Sequence, residues 1–242
     1  FEVNGYSFEQ TKKIKPEYFD KYSHIINTSI HPKYVKSKYN IKYDLDINFI
    51  KKFRRFNFYY IFLNTRKIYL LKENISEKSK IKPNDNYAKN KLTTELYLKK
   101  HIKNKLISLR ISNIIGKRIY KEPRNSHKLF FDNFLNYKKN FRKNRKKIFA
   151  SNDFKDFLSI DQFCRILSEV IKKRISGIYN VSLSEKIFIS ELISWIDKSF
   201  LKNMSFTRKS KDSFTLSNKK LIKKIKIKLN KNQLKSFCKK LI

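Results

Sequence analysis

Five apolar residues in succession, Tyr59 to Leu63, give way abruptly to Asn64 and Thr65. That is the pattern of a strand buried on both faces, as in a parallel sheet, with its carboxyl end in a polar setting. His24–Ser29 and Leu106–Gly116 read the same way, the second running into a polar turn that ends on Gly116, and Phe1–Tyr6 predicts a short strand entering a turn. Between these blocks the apolar spacing becomes helical. Leu45, Phe49 and Phe53, widened by Ile50 and Phe56, predict a helix over Tyr43–Phe56, and an unbroken run of helix-tolerant residues with Leu92 and Leu96 predicts another from Asn86. Phe163, Ile166, Leu167 and Val170 form one buried face behind Asp161 as N-cap, and Ile189, Leu192, Ile193 and Ile196 another within Phe188–Phe200. Residues 15–23, with Pro16, and 71–86, with Pro83, are polar connections, and Arg208–Ile242 reads as short helices. Strands alternating with helices predict an α/β fold built on a parallel sheet.

On the predicted helix from Asn86, Tyr87 and Lys91 stand one turn apart on one face. An ammonium beside a phenol favours the phenolate, so such a pair can exchange a proton nearer neutrality than an isolated tyrosine. In a chain rich in both residues the spacing alone also fits chance. The neighbours of the pair decide between these readings. Upstream, the strand Tyr59–Leu63 ends at Thr65; downstream come Leu109-Arg110-Ile111-Ser112-Asn113-Ile114-Ile115-Gly116, then Lys155-Asp156-Phe157-Leu158-Ser159-Ile160-Asp161, then Gly177-Ile178-Tyr179-Asn180-Val181.

In this order the segments resemble the extended short-chain dehydrogenase/reductases, the NAD-dependent epimerase/dehydratases that act on nucleotide sugars, over roughly residues 20 to 190. The resemblance implies a Rossmann-type, doubly wound parallel sheet with a smaller C-terminal substrate lobe. Residues 1–116 would form the core and 117–242 mainly the lobe, with segments around 151–181 returning to the core. It implies Tyr87 as acid/base, Lys91 as its tuner and a contact to the cofactor ribose, Thr65 as hydrogen-bond partner of the sugar oxygen and Asn113 as a substrate contact. The cofactor would be NAD or NADP, and a homodimer is the family habit. Where 4,6-dehydratases of the family carry Asp and Glu after the Ser/Thr, this chain has Arg66 and Lys67, which cannot act as a carboxylic acid and its base. Epimerisation or keto reduction of a nucleotide-activated sugar is therefore the expected chemistry.

The family holds the cofactor pyrophosphate on a glycine-rich turn at a helix N-terminus. Only Gly5, Gly116 and Gly177 occur in these 242 residues, so no such turn is encoded in them. Phe1–Tyr6 matches the second strand of the family's nucleotide-binding domain in position. The chain is accordingly expected to be N-terminally truncated relative to the family or a decayed copy and poorly stable, to bind NAD(P) weakly or not at all, and to be inactive as it stands where the cofactor does not bind. Ser7 falls near the position that selects between NAD and NADP, with Lys12 and Lys13 beyond it.

Composition adds one competing reading. Lys and Arg number 58 against 20 Asp and Glu, a formal charge of +38, which suits a polyanion and makes a basic nucleic-acid-binding protein on a degenerate Rossmann scaffold the alternative. The basic residues are overwhelmingly Lys, accompanied by abundant Asn, Ile, Phe and Tyr and scarce Gly, Pro and Ala, the set that AT-rich codons produce without selection for a ligand. The Lys/Arg-rich stretch from Gly116 to Lys147, with Leu129, Phe130, Phe131, Phe134 and Leu135 as its apolar stripe, could wall a nucleotide-diphosphate site through Arg142; Arg142, Arg145 and Lys146 are also the cluster to test for nucleic acid. Cys164 and Cys238 form no C-x-x-C, His24, His31, His101 and His127 lack metal-ligand spacing, and no apolar run reaches the ~20 residues of a membrane span. A cytoplasmic protein without metal or membrane partner is expected.

Overall fold

The computed structural model describes residues 1–53, 57–117, 130–144, 148–207 and 212–241. In chain order the elements are α1 (Phe8–Lys13), β1 (His24–Ile26), α2 (Pro32–Lys36), α3 (Leu45–Ile50), β2 (Tyr59–Thr65), α4 (Asn86–Ile102), β3 (Leu106–Ile111), β4 (Asn113–Ile115), α5 (Phe130–Asn144), β5 (Ile148–Ser151), β6 (Phe154–Lys155), β7 (Phe157–Ser159), α6 (Ile160–Lys173) and β8 (Gly177–Val181). There follow β9 (Ile187–Phe188), α7 (Ile189–Ile196), α8 (Lys198–Leu201), β10 (Met204–Thr207), α9 (Lys219–Ile225) and α10 (Lys231–Lys239).

These elements divide into two compact, interleaved units. The first comprises Phe1–Leu70, Glu77–Ile111 and Val170–Asn180, the second Leu71–Ser76, Ser112–Glu169 and Val181–Ile242.

The first unit is built on the sheet β1-β2-β3-β8. β1 and β2 run parallel with His24 opposite Tyr59, and β2 and β3 parallel with Tyr60 opposite Leu106 and Thr65 opposite Ile111. Tyr60, Ile61 and Phe62 are wholly inaccessible, as expected of a central parallel strand covered on both faces. Phe19, Phe49, Phe53, Phe58, Tyr60, Phe62, Leu98 and Leu106 belong to one core cluster. Phe19 meets Phe49 edge-on at 5.3 Å and Phe53 meets Phe58 edge-on at 5.1 Å, a geometry that the ring quadrupole favours.

In the second unit β4 pairs with β7 and β5 with β10, both parallel, while β6 and β9 pair antiparallel. A buried carboxylate ties its segments together. Asp156 accepts the backbone N–H groups of Leu183 at 2.9 Å, Ser184 at 3.1 Å and Leu216 at 3.1 Å. Burial lifts this carboxyl to about 7 against the pull of those three donors.

Several predicted elements differ in the structure. Phe1–Tyr6 forms no strand; Phe1 and Val3 are exposed, and the chain enters α1. The predicted helix Tyr43–Phe56 is an α-helix only over Leu45–Ile50, started by Asp44, whose side chain accepts from Ile47 N, with residues 54–56 outside the described residues. Leu106–Gly116 is two strands that break at Ser112 and join different sheets. Asp161 lies in the first turn of α6 and is not its cap; that role falls to Ser159, which exchanges hydrogen bonds with Gln162, backbone to side chain in both directions. The predicted helix Phe188–Phe200 breaks at Asp197, whose carboxylate accepts from Phe200 N and starts α8. The parallel pair β5 and β10 was not predicted, since neither strand has a long apolar run.

Candidate active site

The carboxyl end of β2 and the amino end of α4 meet in the first unit. Thr65 ends β2, half-buried, and its Oγ1 accepts from Lys67 N at 3.3 Å, starting a single 3₁₀ turn over Arg66–Ile68. Lys67 reaches from that turn to α4: its Nζ lies 3.0 Å from Asp85 Oδ2 and 6.0 Å from the centre of the Tyr87 ring. Asp85 is the N-cap of α4, with Oδ1 accepting from Ala88 N at 2.7 Å, so a carboxylate sits where the helix presents its positive end. Burial works to raise Asp85, but the Ala88 N–H and Lys67 outweigh it and hold the carboxyl below the usual range.

Lys91 follows Tyr87 by one turn and is buried. Its ammonium sits 4.5 Å over the Phe62 ring of β2 and 5.8 Å over Tyr34 of α2. Burial lowers its pKa, opposed by the carboxylates of Asp46 and Asp44. Asp46 accepts from Tyr60 Oη at 2.8 Å and is itself pushed up by burial. Asp44 accepts from Thr94 Oγ1 at 2.5 Å and Tyr39 Oη at 3.0 Å, while Thr94 also shares a 2.6 Å contact with Tyr34 Oη.

Tyr87 does not carry the predicted shift. Burial, then Asp85 and Asp46, raise its hydroxyl to about 12, opposite to the lowering expected from a neighbouring ammonium. Burial explains most of the difference, with Asp85 and Asp46 adding to it, because all three favour the neutral phenol, and the Lys91 ammonium lies over Phe62 and Tyr34.

A second set of polar groups lies one further turn along α4. Glu95 Oε2 accepts from Asn64 Nδ2 at 2.8 Å, Ser108 Oγ at 2.5 Å and Arg110 Nε at 3.1 Å, and Glu95 Oε1 pairs with Arg110 Nη2. Arg110 is 4% and Glu95 1% exposed, so the pair is closed from solvent. Neither residue was singled out from sequence, although a charge within the apolar run Leu106–Ile111 signals a buried partner.

The other predicted residues are placed as follows. Ser7 caps α1, its Oγ accepting from Gln10 N at 3.2 Å while Gln10 Oε1 accepts from Ser7 N at 2.7 Å. Thr65, Tyr87 and Lys91 thus share the first unit with Ser7, whereas Asn113 and Arg142 belong to the second. Asn113 opens β4 and donates through Nδ2 to Asp156 O at 3.1 Å; Arg142 is exposed on α5, and Arg145 and Lys146 lie outside the described residues. Among the described residues no group of three or more His, Cys, Asp or Glu could hold a metal, and no helix is long and apolar enough to cross a membrane.

The family model described as the NAD dependent epimerase/dehydratase family matches residues 21–182. The chain belongs to this family. No curated protein matches it. Among solved structures, UDP-N-acetylglucosamine 4-epimerase from Methanobrevibacter ruminantium, in complex with UDP-N-acetylmuramic acid, superposes with a TM-score of 0.70 at 16% identity over 92% of this chain and 76% of that one. The Bordetella bronchiseptica enzyme WbmG in complex with NAD gives 0.70 at 21% identity over 97% and 76%, and RMD from Pseudomonas aeruginosa with NADPH gives 0.70 at 13% over 98% and 84%. At these identities the likeness is one of fold. It bears out the α/β Rossmann-type architecture, and the family is NAD-dependent by description.

Proposed function

We propose that this chain is an NAD(P)-dependent epimerase or ketoreductase of a nucleotide-activated sugar. The observation that carries the reading is the seating of α4 on the end of β2: Lys91 lies against Phe62, and Lys67, two residues after Thr65, reaches both Asp85 and the Tyr87 ring. Family membership and relatives solved with NAD, NADPH and a UDP-sugar support the same substrate class.

The residues present fit one end of the cofactor better than the other. Tyr87, Lys91 and Thr65 offer two hydroxyls and an ammonium, a donor set suited to a ribose and a sugar oxygen. For the pyrophosphate the 242 residues hold no glycine-rich turn: Gly5 lies in an irregular segment with nothing within 4 Å of an added Cβ, Gly116 abuts Ile160, and Gly177 opens β8 at φ +119°. The nicotinamide, when bound, supplies hydride transfer. Lys91 contributes the ribose contact and a positive charge. Tyr87, protonated at neutral pH with its hydroxyl at about 12, serves as the acid towards a keto oxygen, and in the reverse direction it takes the proton back. Thr65 donates to the same oxygen. Arg66 and Lys67 stand where a dehydratase needs its acid and base, and Lys67 is engaged with Asp85.

The test is incubation with millimolar NAD+, NADH or NADPH and UDP-, dTDP- and GDP-sugars. Epimerisation is read as a new sugar configuration by NMR without net absorbance change at 340 nm, reduction as loss of that absorbance. Elimination of water from the sugar as the main product would overturn the assignment.

A further inference from the structure

The buried pair Glu95–Arg110 takes no part in the proton chemistry assigned above, yet its contacts run to both halves of that site. Tyr87, Lys91 and Glu95 recur at intervals of four on α4, one above the other on a single face. Glu95 Oε2 accepts from Asn64 Nδ2 at 2.8 Å, and Asn64 Oδ1 in turn accepts from the backbone N–H of Thr65 at 2.7 Å. The helix that carries Tyr87 and Lys91 is thereby connected to the backbone of Thr65 through one carboxylate and one amide.

Arg110 holds the chain on the far side of Thr65. Its Nη1 donates to Tyr69 Oη at 2.6 Å and to Glu77 O at 3.3 Å; Tyr69 Oη donates to Asn180 Oδ1 at 2.8 Å, and Asn180 N donates to Glu77 Oε1 at 2.8 Å. Tyr69 directly follows the 3₁₀ turn that Thr65 caps. Thr65 is fixed from its amino side by Asn64 and from its carboxyl side by Tyr69, both tied to the same ion pair. An apolar pair would fill this volume without the desolvation that a buried salt bridge requires. What only the polar pair provides is direction, since a bidentate arginine–carboxylate contact has a fixed geometry.

We propose that Glu95 and Arg110 are positioning residues, which set Thr65 in register with Tyr87 and Lys91. The proposal rests on the functional reading above, and its test separates the two. In the full chain, amide hydrogen exchange at Thr65 is compared with that at Ile61, four residues earlier on the same strand, in the parent, in Glu95→Gln and in the double variant Glu95→Leu/Arg110→Met. The double variant removes both charges at once, so that neither is left buried alone. Protection at Thr65 is expected to fall about tenfold or more relative to Ile61 in both variants. With a sugar nucleotide and cofactor, kcat is expected to fall about 10- to 100-fold with KM within about twofold, the signature of misplaced reacting groups. Equal loss of protection at both amides, or none at Thr65, overturns the proposal, as does a fall in kcat matched only by loss of folded protein. Selective loss at Thr65 in a protein whose parent shows no sugar chemistry leaves the coupling standing and removes the functional reading.

Discussion

The Lys91 ammonium lies 4.5 Å over the face of Phe62, in the interior of the first unit. Such a contact compensates part of the lost hydration, while burial still disfavours the charged form.

Burial lowers Lys91 and raises Asp46, so both shifts favour the neutral forms. The sign follows: a lysine whose folded pKa is depressed lowers stability at every pH below its unfolded value, and a carboxyl whose folded pKa is raised lowers it at every pH above its own. Near neutrality both penalties apply. The double variant Lys91→Met/Asp46→Asn should be more stable at pH 7 by about 1 to 2 kcal/mol, or a few degrees in Tm. The part due to Asp46 should vanish below about pH 4. Thermal unfolding across pH measures both, and a variant less stable than the parent at pH 7 contradicts the argument.

Tyr87 should titrate near 12 in the free protein, because burial, Asp85 and Asp46 all oppose its ionisation. Asp46→Asn and Asp85→Asn should each bring the phenol down, the second without loss of the helix cap, since asparagine caps as well as aspartate. The tyrosine ring-carbon NMR signal, assigned by its disappearance in Tyr87→Phe, follows the titration. No movement in either variant would rule out the electrostatic account.

The legible part of the fold lay where one local signal sufficed. Tyr59–Thr65 could be read as a buried strand because five apolar residues in a row have no exposed face, and α4 because nothing interrupts the helix-tolerant run from Asn86. Phe1–Tyr6 misled because its alternation suits a strand, while strand formation also needs pairing, which local spacing does not report. The Glu95–Arg110 pair joins residues 15 apart on different elements, and single-sequence spacing does not report such contacts. The direction of Tyr87's shift escaped for a related reason: Asp46, 41 residues before it in sequence, is one of its causes.

Cofactor affinity should be weak in these 242 residues, because the backbone amides that a glycine-rich turn would offer to a pyrophosphate are missing from them. Calorimetric titration with NAD(H) and NADP(H) should find dissociation constants well above the micromolar range. Micromolar binding would mean that another phosphate site replaces the turn.

The charge of +38 should bind polyanions without making them the physiological ligand. Fluorescence anisotropy with a short DNA duplex should show binding at low salt that falls by about 10³-fold or more between 50 and 200 mM and is indifferent to sequence. Tight binding that survives physiological salt and discriminates between sequences would favour the nucleic-acid reading.

Tyr87 carries the central claim. Turnover of nucleotide sugars at millimolar NAD(P)H, a concentration chosen to overcome weak binding, should be compared between the parent and Tyr87→Phe, with circular dichroism confirming that both are folded. The account predicts measurable conversion by the parent and a loss of about 10²- to 10⁴-fold in the variant. A parent without conversion across the sugar panel, or a Tyr87→Phe variant that turns over at the parent's rate, would contradict it.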